Sequence, residues 1–288
     1  MTPDLILTSD WHLRDTQPPC RSDNFWETQW KKVKFISELQ RQHGCPVIHA
    51  GDLFDHWKPS PLLLTAAIRH LPAHFCTIYG NHDLPQHSLE LANKCGIKTL
   101  EAAGKLTVMP GVHWGTEPDT EPGEDTTVLP GGKSLLVWHV MTYQGKPWFG
   151  CTDTPAAGVL RKYKYDLIVT GHNHQSFVEE YQGRLLVNPG GITRQESDKA
   201  DFTPRVYLYY RKTNTVEPVF IPVEPGVVTA PADAVRVEER NERIEAFVSK
   251  LNADWDSSIN FELNMERYLS ANKIQPNIQK IVYKAIGL

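Results

Sequence analysis

The sequence is short of the features that mark secreted, membrane-spanning and strongly basic chains. Its five cysteines, Cys20, Cys45, Cys76, Cys95 and Cys151, are odd in number and never form CxxC, which argues against a disulfide framework and against a thiolate zinc site. They read as reduced structural residues. The longest apolar runs, such as LLLTAAI at 62–68 and SLLVW at 134–138, fall far short of the roughly 20 residues that a membrane span needs. The N-terminus has no basic-then-apolar signal pattern, so a cytoplasmic protein with no membrane contact is expected. An excess of one charge is missing as well: 30 Lys and Arg stand against 34 Asp and Glu, a net charge of −4. Nucleic-acid binding usually shows as a basic face, so a nucleic-acid partner here needs a local patch or a second subunit, as in a homodimer. There are no internal repeats and no low-complexity tract.

What is present is a chain of 288 residues, long enough to bury a large core as one big domain with or without an appendage. Short apolar runs alternate with helix-like stretches through the first two-thirds, the pattern of a layered α/β domain. Strands are expected at DLILTS (4–9), CPVIHA (45–50), HFCTIY (74–79), KSLLVW (133–138) and YDLIVT (165–170). Between the first two, Phe25, Val33, Ile36 and Leu39 among polar residues suit an amphipathic helix within 23–43. PLLLTAAIRHL (61–71) and HSLELANKC (87–95) read as further helices. Residues 110–132, rich in Pro, Gly and acids without Lys or Arg, read as a solvated loop. SFVEEY, RLLVN, RVYLYY and TVEPVFI look like hairpin strands of a second sheet. The expected organisation is one domain over 1–222, a linker over 223–234 and a helical extension over 235–288. In that extension Ile274, Ile278, Ile281, Val282 and Ala285 share one helical face.

Each of the five expected strands ends in polar residues. The first runs into Ser9-Asp10-Trp11-His12, the second into Gly51-Asp52-Leu53-Phe54-Asp55 and the third into Gly80-Asn81-His82-Asp83. The fourth meets His139 and the fifth meets Gly171-His172-Asn173-His174. Sites in layered α/β sheets form beyond the carboxyl ends of the strands, so these clusters would converge on one crevice. One Asp-x-His motif is weak; five such ends together point to a shared metal site. Imidazole mixed with carboxylate and amide oxygens suits manganese, iron or zinc. Asp10, His12, Asp52, Asn81, His139, His172 and His174 are seven donors, more than one ion with an open position needs. Two ions about 3.5–4 Å apart would need a bridging carboxylate and could clamp an in-line displacement at phosphorus. Asp52, the acid of the central cluster, is the candidate bridge.

SDWH, GDLFD, GNHD, the isolated His139 and GHNH match, in order and spacing over roughly 1–195, the five motifs of the calcineurin-like metallophosphoesterases. The resemblance implies a four-layer α/β/β/α sandwich with a dinuclear site, manganese being the expected ion. By that likeness Asp10, His12 and His174 would bind one ion, Asn81, His139 and His172 the other, and Asp52 both. A metal-activated water would attack phosphorus. His82 is similar to the family's non-ligand histidine, which assists the leaving group, with Asp83 orienting it. Asp55 would orient a metal ligand rather than bind the ion. Within the family, TSDWHL, AGDLFD and GNHD look most like the SbcD-type nuclease subunits, which process DNA ends with an SbcC-type ATPase. The likeness implies DNA as substrate and an ATPase partner docked through the C-terminal helices. Two departures stand: NPGG (188–191) replaces an aromatic or polar residue and a serine, and the chain beyond 222 is shorter than that subgroup's.

Substrate contacts are expected from MTYQGKPWFGC (141–151), just after His139, through Tyr143, Lys146, Trp148 and Phe149, with Arg161, Lys162 and Lys164 adding charge. Aromatics that stack on bases beside cations that meet phosphates hold single strands; the same aromatics also suit pinning the loop to the core. The rival reading is a small-molecule or lipid phosphodiesterase or pyrophosphatase. GDLFDHW resembles the second motif of lipid-precursor pyrophosphatases, but their third motif carries arginine where this chain has His82.

Overall fold

The structure is a computed structural model and describes residues 2–146 and 154–229. Trp148, Phe149 and Cys151 lie outside the described residues, as do 230–234 of the expected linker and the whole expected helical extension. No helix among the described residues is long and apolar enough to cross a membrane.

The chain opens with β1 (Leu5–Thr8), α1 (Phe25–His43), β2 (Val47–His49), α2 (Pro61–His70) and β3 (Phe75–Thr77). Local chemistry sets the helix ends. Asn24 caps α1 by accepting from the Glu27 amide, and Gly44 ends it in the left-handed region at φ 66°, a conformation glycine takes without a Cβ clash. Ser60 caps α2 and Pro61 occupies its first turn, where a missing N–H costs nothing. Next come α3 (Gly96–Ala102), β4 (Thr107–Val108), β5 (Thr127–Val128), β6 (Ser134–Trp138), β7 (Thr142–Tyr143) and β8 (Thr154–Pro155). The chain continues with α4 (Ala156–Lys162), β9 (Leu167–Thr170), β10 (Phe177–Tyr181), β11 (Arg184–Asn188), β12 (Arg205–Tyr210) and β13 (Thr215–Phe220).

Two sheets face each other. The first has the order β13-β12-β1-β2-β3-β4 and the second β10-β11-β9-β6-β5. Strand alternation sorts the core into three layers. Leu5, Leu7, Ile48, Leu135, Val137, Leu167, Val169 and Val187 meet between the sheets. Ile6, Val47 and Phe75 turn the other way, onto Trp30, Val33 and Ile36 of α1 and Leu63 and Ala67 of α2. Leu136, Ile168 and Leu186 pack against Val159 and Leu160 of α4. The result is the α/β/β/α sandwich.

Two expectations are corrected. The stretch 87–95 is helical over Leu89–Lys94, but as a 3₁₀ helix that follows a 3₁₀ turn at Pro85–His87, and α3 begins only at Gly96. Gln86 and His87 take φ of 53° and 56°, which a continuous right-handed helix cannot accommodate. The four late strands do not share one sheet either. β10 and β11 join the second sheet through β9, whereas β12 pairs antiparallel with β1, Ile6 opposite Leu208, and carries β13 to the edge of the first. Pro218 lies on that edge strand, where a missing ladder donor is tolerated. The segment 189–204 therefore crosses from one sheet to the other and passes the ends of β1 and β9.

Candidate metal centre

β1, β2 and β3 run parallel to one another in the first sheet, as do β6 and β9 in the second, and the expected donors follow all five. The backbone after these strands is strained where function needs it. Asp10, His12, Asp52 and His172 take φ of 51°, 44°, 57° and 74°, a region that costs non-glycine residues of order 1–3 kcal/mol each. Close approach also explains two glycines. A Cβ on Gly80 would strike the Asp52 carboxylate, and one on Gly171 would strike the Ala50 carbonyl, so both turns exclude side chains.

Two donor groups result. Asp10, His12 and His174 offer atoms within 4.8 Å of one another, and so do Asp52, His139 and His172. The Asn81 amide oxygen lies 3.1 Å from His139 Nε2 and 3.0 Å from His172 Nδ1. Asp52 stands between the groups: its Oδ2 is 3.6 Å from His12 Nε2 and 3.4 Å from His139 Nε2. The imidazole tautomers follow from their outer partners. His139 Nδ1 donates to the Ala50 carbonyl at 2.7 Å, which turns Nε2 toward Asn81 and Asp52. His174 Nδ1 lies 2.9 Å from Glu196 Oε1, and its Nε2 faces His12 Nε2 at 3.0 Å.

The donors fit divalent ions on two observations. Asp10 is fully buried, yet its Oδ2 has no hydrogen-bond partner, an arrangement expensive for a carboxylate unless a cation meets it. The Nε2 atoms of His12 and His174 face each other at 3.0 Å, so two imidazoles of one group turn to the same point. Electrostatics agree. Burial raises the Asp10 carboxyl above its ordinary value. Burial acts the same way on Asp52, but the neighbouring His139 and His12 outweigh it and hold that carboxyl well below the usual range. Burial, with His139 close by, pushes His172 down to about 3. For His139 burial is overcome by Asp52, and the imidazole rises to about 9.

His82 joins neither of these two groups, though with His12 and Asp55 it makes a third set close enough to meet a cation. Its amide donates to Asp52 Oδ1 at 2.8 Å and its Nδ1 donates to the Asp55 carbonyl at 2.8 Å, leaving Nε2 as the nitrogen for a substrate. Asp83 does not orient the His82 ring. Its carboxylate accepts from the amides of Asp52 and Phe54 in the turn after β2 and of Gly80 in the turn after β3, at 2.8, 3.2 and 3.0 Å, so it ties the two turns together. Asp55 lies 3.9 Å from His12 Nδ1 and 3.2 Å from Arg14, and its carboxylate falls within the set of His12 and His82.

A cavity of about 200 Å³ opens on the centre, with Asp10, His12, His82 and His174 on its floor and Arg14, Lys199 and Phe202 on its walls. Tyr143 and Lys146 are not among its lining residues. Sequence reasoning missed this wall, and also Trp114, which packs over His172 at a ring distance of 4.8 Å from within the stretch read as a solvated loop. The one available signal was the polar run TRQES that follows NPGG.

The wall rests on buried cations. Lys32 is 3% exposed with Nζ 2.5 Å from the Ile192 carbonyl; burial, then Arg194 and Arg21, bring its ammonium down to about 7. Between pH 7 and about 10 the unfolded chain holds a proton that the folded chain has released, so stability rises with pH there and levels off below 7. Urea midpoints measured across that window are expected to climb in the wild type and to lose that climb in Lys32→Met; equal slopes would contradict the assignment.

A two-sheet sandwich with carboxylate, amide and imidazole donors gathered at its strand ends defines a metal-dependent hydrolase. The chain belongs to the calcineurin-like phosphoesterase superfamily, whose domain model matches residues 4–207. Among solved structures it is similar to an archaeal phosphodiesterase (14% identity, TM-score 0.43, covering 75% of this chain and 98% of that one). It is also similar to Vps29 of Entamoeba histolytica complexed with zinc (14% identity, TM-score 0.35, covering 76% and 99%). No curated protein matches the sequence.

Proposed function

We propose that this phosphoesterase is a phosphodiester hydrolase acting on DNA ends, in the manner of SbcD-type nuclease subunits, with two divalent ions, manganese first. One observation carries the reading: a single carboxylate oxygen, Asp52 Oδ2, lies within 3.6 Å of His12 Nε2 in one donor group and of His139 Nε2 in the other, and Asp10, His12 and His174 open with His82 on one cavity. Two ions held there would supply Lewis acidity to the phosphoryl oxygens and acidify a water. The chain's own part is positional. Asn81, His139 and His172 on one side and Asp10, His12 and His174 on the other hold the charge in place, while Trp114 covers His172 against solvent. His82 delivers a proton from Nε2 to the leaving oxygen while the Asp55 carbonyl keeps Nδ1–H in place.

The DNA part rests on the SDWH, GDLFD and GNHD motifs and on the cavity wall. Arg14 and Lys199 beside Phe202 suit a flanking phosphate and a base. Cytoplasmic location, a homodimer and an ATPase partner belong to the same proposal. The test is a manganese-supplemented assay of a generic phosphodiester, a phosphomonoester and end-labelled single- and double-stranded DNA. Metal-dependent cleavage of diester and DNA, with little monoester turnover, is expected. Diester cleavage without DNA cleavage would leave the small-molecule phosphodiesterase reading, and full activity in a chelator would overturn the metal mechanism.

A further inference from the structure

We infer that Glu196 is a positioning residue for one ion of the pair, held in place by a clamp that the fold builds over residues 192–196; the inference rests on the metal-site reading above. These residues form no helix or strand. Irregular segments usually run over the surface, where water satisfies their backbone. Here four successive carbonyls are taken by side chains from one stretch far away in sequence. Lys32 Nζ donates to Ile192 O at 2.5 Å, and Arg21 donates to Thr193 O at 2.6 Å and Arg194 O at 3.2 Å. Cys20 Sγ donates to Gln195 O at 3.0 Å. Arg21 and Lys32 are 5% and 3% exposed, and Asp23 is the carboxylate that pairs Arg21. Burying cations to fix a loop is costly, so what the loop presents has to matter.

It presents three side chains to a single donor group and the turn that carries it. Gln195 Nε2 donates to the His12 carbonyl at 2.7 Å, and Thr193 Oγ1 donates to the Trp11 carbonyl at 3.2 Å, so the turn carrying Asp10 and His12 is tied down. Glu196 Oε1 accepts from His174 Nδ1 at 2.9 Å. A carboxylate on Nδ1–H fixes the tautomer and the rotation of the ring and strengthens Nε2 as a donor. His139, in the other group, has a neutral backbone carbonyl in that place. The two ion sites are thereby unequal, and the inequality traces to one side chain. The bland alternative is a surface ion pair, since Glu196 Oε2 lies 3.7 Å from Lys199 Nζ; such a pair would leave metal binding alone.

The full-length chain, stripped of metal and titrated with manganese by calorimetry, separates these. The wild type is expected to bind two ions. In Glu196→Ala one dissociation constant rises about 10–100-fold and the other holds. Glu196→Gln, which keeps an acceptor but no charge, falls between, and the thermal midpoint of the metal-free protein stays near wild type. Two unchanged constants in both variants would overturn the positioning role. So would equal weakening of both sites with a collapse of the metal-free midpoint, which would mark Glu196 as structural. A wild type that binds fewer than two ions would instead overturn the two-ion reading, and this inference with it.

Discussion

Replacing Asp52 with alanine is expected to abolish binding of both ions and to lower phosphoester turnover about 10⁴-fold or more. The size follows from what the carboxylate does. Each ion contributes several kcal/mol of charge stabilisation in such sites, and about 1.36 kcal/mol corresponds to a factor of ten in rate. Asp52 Oδ2 is the atom placed within 3.6 Å of His12 and 3.4 Å of His139, so its loss takes a donor from each group. Asp52 Oδ1 also accepts from the His82 amide, so the variant displaces the candidate acid as well. Metal content after dialysis against manganese, read beside kcat for a phosphodiester, checks this. A variant that retains one ion at full occupancy would show that Asp52 belongs to one site alone.

His82→Ala should behave differently. Turnover is expected to fall about 10²–10⁴-fold, the range for loss of a positioned acid or base, with both ions still bound. The imidazole lies against His12 at a ring distance of 4.7 Å and lines the cavity, yet its Nδ1 is committed to the Asp55 carbonyl. Only Nε2 can serve a leaving oxygen. The deficit should therefore shrink on an aryl diester, whose leaving oxygen needs no proton, and be largest on an alkyl diester or DNA. The same deficit on both esters would assign His82 to phosphate binding rather than proton transfer.

Much of this centre is legible in the sequence because it is built at strand ends. Short apolar runs expose β1, β2, β3, β6 and β9, and the residues after each are the donors. The two-residue spacing of His172 and His174 misleads if the chain is taken as extended. His172 has φ 74°, so the pair does not share a face: His172 turns to Asn81 and His174 to His12. Glu196 and Gln195 were not legible, because the segment that carries them is held by buried contacts with Cys20, Arg21 and Lys32 more than 150 residues away, and Arg14 joins the wall through Gln195, 181 residues on. Sheet membership of β12 was hidden for a similar reason. An apolar alternation such as that of Arg205–Tyr210 shows that a strand exists and not which edge it joins.

Anomalous diffraction from crystals of the full chain grown with manganese tests the central claim most directly. The account predicts two peaks about 3.5–4 Å apart, one beside Asp10, His12 and His174, the other beside Asn81, His139 and His172, with Asp52 touching both. A single peak, or two peaks not joined by Asp52, would contradict it.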